Sequence, residues 1–269
     1  MKKRIKLIAA VLYDMTMKGV TYLNQKLDEE YINKITNQYY SSFCAVDILA
    51  VSDGIHFICS SRRNAQLRGL GQKYPVFMLV KDDNCIITYS PKYKEEVEVL
   101  RGANIKEIAT TMNQKYNLKT MQLMIFHRET IEQFGSARNL TKEDYPFYED
   151  FFKTTSPNVN YEGWLYDYFI EKADKGLFTG YFSRGKLVCV CDAPDMPYLE
   201  GKIQHTGVRT LEEERRKGFA KSTAALATHN LLNAGICPQW ECDAGNIASV
   251  KLAKSIGYKR YGVAYIMTQ

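Results

Sequence analysis

The chain has 269 residues, 45% hydrophobic, 25% charged and 12% aromatic, with 36 basic against 30 acidic side chains and a formal charge of +6. This composition excludes a disordered chain, and the length allows a core that needs no disulfide or metal staple. The longest apolar run near the start, residues 7–13, falls far short of the roughly 20 residues that a membrane span requires.

The opening MKKRIKLIAAVLYD is basic and then apolar, as a signal peptide is. Asp14 interrupts it, and no small-x-small cleavage site follows, so it reads as a basic amphipathic helix. Residues 20–43 repeat apolar positions at three- and four-residue spacing (Leu23, Leu27, Tyr31, Ile32, Ile35), which is a helical period. Strand-like runs follow at 45–51, 55–60, 76–80 and 85–89. Asp53-Gly54 divides the first pair and Asp82-Asp83-Asn84 the second, which predicts two hairpins. Arg68-Gly69-Leu70-Gly71 is too short for a phosphate fingerprint and reads as a turn. Residues 104–116 predict a helix capped by Asn104, and residues 121–126 a strand.

A second unit is expected from about Ser136. Residues 137–140 read as a short strand, and Thr141 with Asp144 as a capping pair before a helix over 145–152. A helix over 161–175 closes at Gly176. Strands at 177–182 and 187–191 flank a turn at Ser183–Lys186. Then come a strand over 203–209, a helix over 218–234, a strand over 238–242, a helix over 246–256 stopped by Gly257, and a strand over 263–267. With no repeat and no proline-rich linker, the expected division is 1–133 and 134–269.

Seven cysteines, odd in number and without a CxxC, and four scattered histidines do not make a zinc site, so no metal is expected. Reduced, buried thiols fit a cytoplasmic protein. The first 133 residues hold 19 basic and 14 acidic side chains. That excess is not a stripe interleaved with aromatics, which argues against nucleic acid as a partner.

Chemistry concentrates between residues 208 and 222, where a strand feeds a basic loop, Gly218 and a helix start. Such a turn offers unpaired backbone amides at the positive end of a helix dipole, a setting for a pyrophosphate. Gly218 lets backbone approach the anion closely. Arg215, Arg216, Lys217 and Lys221 add long-range attraction.

Arg215-x-x-Gly218-x-Ala220 resembles the Arg/Gln-x-x-Gly-x-Gly/Ala element of the GNAT superfamily of acyl-CoA-dependent N-acyltransferases. A second block runs through Pro238, Trp240, Cys242, Asn246, Ser249, Leu252, Ala253, Gly257 and Tyr258 and resembles that superfamily's second element. Together they are similar to the subgroup that includes zwittermicin A resistance proteins, over residues 134–269.

The resemblance implies a mixed α/β fold with a splayed mixed sheet, preceded by a second mixed α/β domain that a degenerate half of the same fold would also fit. It implies acetyl-CoA in the opening between the 203–209 and 238–242 strands. Val208 and Thr210 would present backbone to the pantetheine arm, with Arg209 between them also cofactor-binding. Arg215, Arg216, Lys217, Gly218, Phe219 and Ala220 would hold the pyrophosphate with Lys221 and Ser222 at the helix start, and Asn246 and Ser249 would reach the far side.

Acetylating an amine needs a base for the amine proton, a donor for the developing oxyanion and a proton for the departing thiolate. Candidate bases are Glu241, ahead of Glu200 and His205, with Asp243 nearby. Alternation places Glu241 and Trp240 on opposite strand faces. Many members of the superfamily carry a tyrosine where this chain has Ala253. Tyr258 reads as a packing residue, and Tyr261, Tyr265 or water is left to supply the proton. A missing acid costs roughly 10²–10⁴-fold.

The resulting expectation is an acetyl-CoA-dependent N-acetyltransferase acting on a primary amine of a small molecule by direct attack in a ternary complex. The alternatives are a non-catalytic acyl-CoA-binding or regulatory protein, for which Ala253 speaks, and a nucleic-acid-associated acyltransferase resting only on the basic first half. Residues 1–133 are open to three readings: a degenerate copy of the same fold, acceptor recognition, or a dimerisation surface that would make a homodimer.

Overall fold

The computed structural model describes residues 27–128, 131 and 135–269. The basic helix expected at the start, and Leu23, lie outside the described residues. The first helix, α1 (Glu29–Cys44), begins at Asp28, whose side chain accepts from the Tyr31 N–H at 2.7 Å, with Glu29 and Glu30 complementing the dipole. Its buried stripe is Ile32, Ile35, Thr36, Tyr39, Tyr40 and Phe43. Burying each of the large apolar side chains is worth about 2 kcal/mol.

The strand expected over 45–51 does not form. Ala45 ends α1 in the left-handed region, and Asp47 accepts from the Leu49 N–H at 3.0 Å, closing a turn. Ile48 is buried and Val46 packs beside it, so the apolar run reaches the core from a loop. The hairpin expected across Asp53-Gly54 is therefore absent too. Instead β1 (Gly54–Cys59) runs parallel to β3 (Asn84–Tyr89), with the Gly54 N–H donating to Asn84 Oδ1 at 2.9 Å. The second hairpin is present: β2 (Val76–Lys81) joins β3 through a turn with Asp82 at φ +51°.

The short α2 (Lys94–Glu98) and α3 (Ile105–Tyr116) follow. Asn104 and Glu107 form a reciprocal capping box at the start of α3, a device worth about 1 kcal/mol. Alternation along β2 and β3 serves two cores. Phe77, Leu79 and Ile86 join the core containing α1, while Val76, Met78 and Ile87 pack with Val97 of α2 and Ile108 and Met112 of α3.

Next come β4 (Lys119–Phe126), β5 (Arg138–Asn139), α4 (Tyr145–Thr155) and α5 (Leu165–Asp174). Thr141 and Asp144 make the expected capping pair, and Arg138 grips the Asp144 carboxylate at 2.6 and 2.7 Å. Helix α5 starts four residues later than expected, because 162–164 form a turn. The chain continues through β6 (Thr179–Ser183), β7 (Lys186–Asp192), β8 (Ile203–His205), β9 (Gly207–Thr210), α6 (Phe219–Asn233), β10 (Cys237–Asp243), α7 (Ile247–Ile256) and β11 (Tyr258–Met267).

Among the described residues the strands form two sheets, β1-β3-β2-β11-β4-β10-β8 and β5-β6-β7-β9. This is a mixed α/β architecture with one mixed sheet. The expected division after residue 133 does not separate them. Strand β4 lies between β11 and β10, antiparallel to both, so the larger sheet interleaves strands from both halves. Sequence proximity favoured separate units, whereas both hydrogen-bonding edges of β4 are filled by β11 and β10, strands of the other half.

A splayed strand pair and a pocket beneath it

The strand expected over 203–209 is broken at Thr206 into β8 and β9, and the break joins the two sheets. Strand β8 pairs parallel with β10 from Ile203 opposite Cys237 to His205 opposite Gln239. Beyond that point β10 pairs only with β4, and β9 leaves to pair with β7. The two strands therefore part just after His205. The Leu211 N–H donates to the Val188 carbonyl at 3.0 Å, which fixes the phase of the β7–β9 ladder. Arg209 and Gly207 bond to β7, while Val208 and Thr210 turn their amides and carbonyls into the opening. An extended, amide-bearing chain matches such an edge.

After β9, Glu212–Glu214 form a single 3₁₀ turn and Gly218 caps α6. Arg216 and Gly218 both adopt left-handed backbone, at φ +65° and +86°. No side chain caps this helix, so the amides of Phe219, Ala220 and Lys221 have no intrahelical acceptor. Successive amides in such a turn form an anion-binding concavity, and a Cβ at Gly218 would meet nothing within 4 Å. The basic side chains contribute less than their number implies. Lys217 pairs with Glu214 at 2.7 Å and Arg215 with Glu212 at 3.9 Å, whereas Arg216 and Lys221 have no ion-pair partner among the described residues. Phe219 stacks on Tyr181 with ring centroids 4.4 Å apart, and the Ser222 N–H closes the first helical turn onto the Gly218 carbonyl. Only the backbone of Phe219 is thus available to an anion. Arg209, exposed, donates to Ser156 Oγ.

Glu241 and His205 come together where the strands part. Glu241 Oε1 accepts from the Tyr40 hydroxyl at 2.7 Å and lies 3.4 Å from His205 Nε2, a buried nitrogen with no hydrogen-bond partner among the described residues. The side chains are 22% and 17% exposed, so both are sheltered yet reachable. Tyr39 meets the His205 ring edge-on at 5.6 Å. Two residues earlier on the same face, Gln239 donates to Thr36 Oγ1 at 2.7 Å, so α1 grips β10 at two successive inward positions. Trp240 points the other way, as alternation requires, and its Nε1 donates to Ser249 Oγ at 3.0 Å. Burial, and then the Glu241 carboxylate, push the Tyr40 and Tyr39 hydroxyls well above the usual tyrosine range, so both stay protonated.

These groups line a cavity of about 50 Å³ walled by Tyr39, Tyr40, Phe43, Tyr74 and Phe77, with Leu70 and the segment Pro194–Pro197 at its side. Its other carboxylate, Asp195, pairs with the buried Lys172 at 2.6 Å. The aromatic wall from α1 had not been foreseen. The stripe from Ile32 to Phe43 marks a buried face in the sequence, but nothing local says what it covers.

The remaining expected residues lie apart from this pair. Glu200 is exposed and bonded to Arg68 at 2.7 Å, outside the cavity. Asn246 caps α7 by accepting from the Ser249 N–H at 3.0 Å, and Ser249 accepts the Trp240 indole, so both side chains hold the fold. Ala253 is fully buried. The Tyr258 hydroxyl is engaged with Thr228 at 2.9 Å and that of Tyr261 with Asn37 at 2.7 Å, while Tyr265 belongs to the α2–α3 core. Asp192, not singled out from the sequence, lies against Gly207 beside Tyr148 and Arg209. Burial raises its pKa from 3.8 to about 6, with Arg209 opposing. Among the described residues no group of three or more His, Cys, Asp or Glu could hold a metal ion. No helix among them is long and apolar enough to cross a membrane.

Residues 173–265, which span the parting strands, the Gly218 turn and Glu241, match the family model described as GNAT acetyltransferase. The protein is an acyltransferase. The chain is 22% identical over 278 aligned positions to the uncharacterized N-acetyltransferase YdfB of Bacillus subtilis (strain 168), covering 93% of this chain and 95% of that one. Among solved structures, a GNAT-family acetyltransferase from Colwellia psychrerythraea is similar over 72% of this chain and 81% of its own, at 14% identity and a TM-score of 0.49. AAC(6')-Iy, solved with the bisubstrate analogue CoA-S-monomethyl-acetylneamine, is similar over 47% of this chain and 91% of its own, at 19% identity and a TM-score of 0.40.

Proposed function

We propose that this acyltransferase moves an acetyl group from acetyl-CoA to a primary amine of a small molecule, by direct attack in a ternary complex. The observation behind this reading is the position of Glu241, hydrogen-bonded by Tyr40 and faced by His205, beside the opening where β8 and β10 part. Acetyl-CoA supplies an acetyl group activated as a thioester. The residues present fit it: Val208 and Thr210 offer backbone edges to an amide-bearing arm. The uncapped turn from Arg216 to Lys221 offers amides to a pyrophosphate.

Glu241, aligned by Tyr40 and His205, takes the amine proton as the nitrogen–carbon bond forms and the carbon–sulfur bond breaks. The sulfur is reprotonated through water, because Ala253 is buried and the Tyr258 and Tyr261 hydroxyls are engaged elsewhere. Residues 1–133 supply the acceptor side, since α1 and β2 furnish the aromatic wall. Free thiols at all seven cysteines are consistent with a cytoplasmic setting. Kinship with the zwittermicin A resistance subgroup rests on the two motif blocks alone.

The test is thermal unfolding with and without acetyl-CoA, followed by turnover with an amine panel. Ligand at about 100 times its Kd adds ~2.7 kcal/mol and raises Tm by roughly 2–4 °C in a chain of this size. A rise with turnover supports the enzyme reading. The buried Ala253 favours a second reading, an acyl-CoA-binding protein without chemistry. A rise without turnover on any amine would select it.

A further inference from the structure

The cavity beneath Glu241 constrains the amine that can reach it, and the constraint rests on the reading of Glu241 as the base. Its volume of about 50 Å³ is roughly a third of the 150 Å³ apolar cavity that accommodates benzene, while a single water needs about 10–15 Å³ of such space. The space holds an amino group and its first carbons but no ring and no branch at the attached carbon. The aromatic walls cannot yield cheaply, because Tyr39, Tyr40, Phe43 and Phe77 are each at most 4% exposed, with Tyr39 edge-on to Tyr40 and Phe43 and Phe43 stacked on Phe77.

Charge points the same way. Among the described residues no lysine or arginine lines the cavity, and its ionisable groups are Glu241, His205, the wall tyrosines and Asp195, the last already paired with Lys172. A carboxylate beside the reacting nitrogen would face Glu241 with no cation to meet it, a costly burial. A protonated amine on methylenes is suited by the same walls, since aromatic faces attract cations and cover apolar carbon.

We infer that the acceptor is an unbranched primary amine, its nitrogen carried on a slim methylene chain with no carboxylate or ring at the adjacent carbon.

The test uses the full chain with acetyl-CoA and three probes of four carbons each: n-butylamine, sec-butylamine and 2-aminobutyrate. The expected result is turnover with n-butylamine, a kcat/KM lower by 10- to 100-fold for sec-butylamine, and none for 2-aminobutyrate. In the presence of CoA, n-butylamine alone should raise Tm. The Leu70→Ala and Tyr74→Ala variants each shorten a side chain that lines the cavity, and each should narrow the gap between the two butylamines. Leu70 is partly exposed in a turn, so the first variant tests the idea even where the second folds poorly. Equal kcat/KM for the two butylamines overturns the inference, as does turnover with neither while acetyl-CoA still raises Tm. Failure of acetyl-CoA to raise Tm overturns the underlying reading instead, and the inference falls with it.

Discussion

The Gly218 turn and the Glu241 pocket adjoin opposite ends of β9, and they are built in opposite ways. The turn is made by consecutive residues, 212–222, whose backbone angles and uncapped amides follow from local rules. The pocket draws on α1, β2, β4, β8, β10, β11 and the segment before β8, parts separated by up to about 230 positions. A local device survives changes elsewhere in the chain. An assembled one needs every contributor in place, which makes it selective and exposes it to disruption from a distance.

That contrast predicts a clean separation of binding from chemistry. Glu241→Gln should lower kcat/KM by roughly 10²–10⁴-fold while leaving the acetyl-CoA-dependent rise in Tm intact, as steady-state kinetics and thermal scans would reveal. If both vanish together, the two regions are not independent. Asp192 lies between them, against Gly207. Its pKa, raised to about 6 by burial, means that the folded state holds the proton more tightly than the unfolded one. Stability is undiminished below pH ~4, declines as pH rises from 4 to 6, and is lower by about 3 kcal/mol above that. Asp192→Asn should remove the decline, so that denaturation midpoints match the wild type at pH 4 and exceed it at pH 7.

Gly218→Val should abolish the Tm response to acetyl-CoA. It should cost only about 1–2 kcal/mol in stability, because φ is +86° and no neighbouring atom obstructs the side chain. Smallest is Tyr40→Phe, which removes one hydrogen bond to Glu241 and about 1 kcal/mol by denaturant titration. Its sharper readout is a displaced pH profile of kcat/KM, which a purely structural tyrosine would leave in place.

Short-range order was written plainly in the residues. The helices from α3 onward, the β2–β3 and β6–β7 hairpins and the Gly218 turn all follow from caps, turn chemistry and apolar period. Alternation along β10 set Trp240 and Glu241 on opposite faces. The sequence also carried Glu241, His205 and Gly218 as candidates. It misread 45–51, where apolar residues reach the core from a turn. It also divided a sheet that interleaves both halves, since strand pairing at long range leaves no periodic trace.

What only the tertiary structure decided is who meets Glu241. A residue's type and local geometry are set by its neighbours in the chain, but its partners across space depend on which buried faces match. Here α1 covers β10, bringing Tyr40 and Thr36 to Glu241 and Gln239.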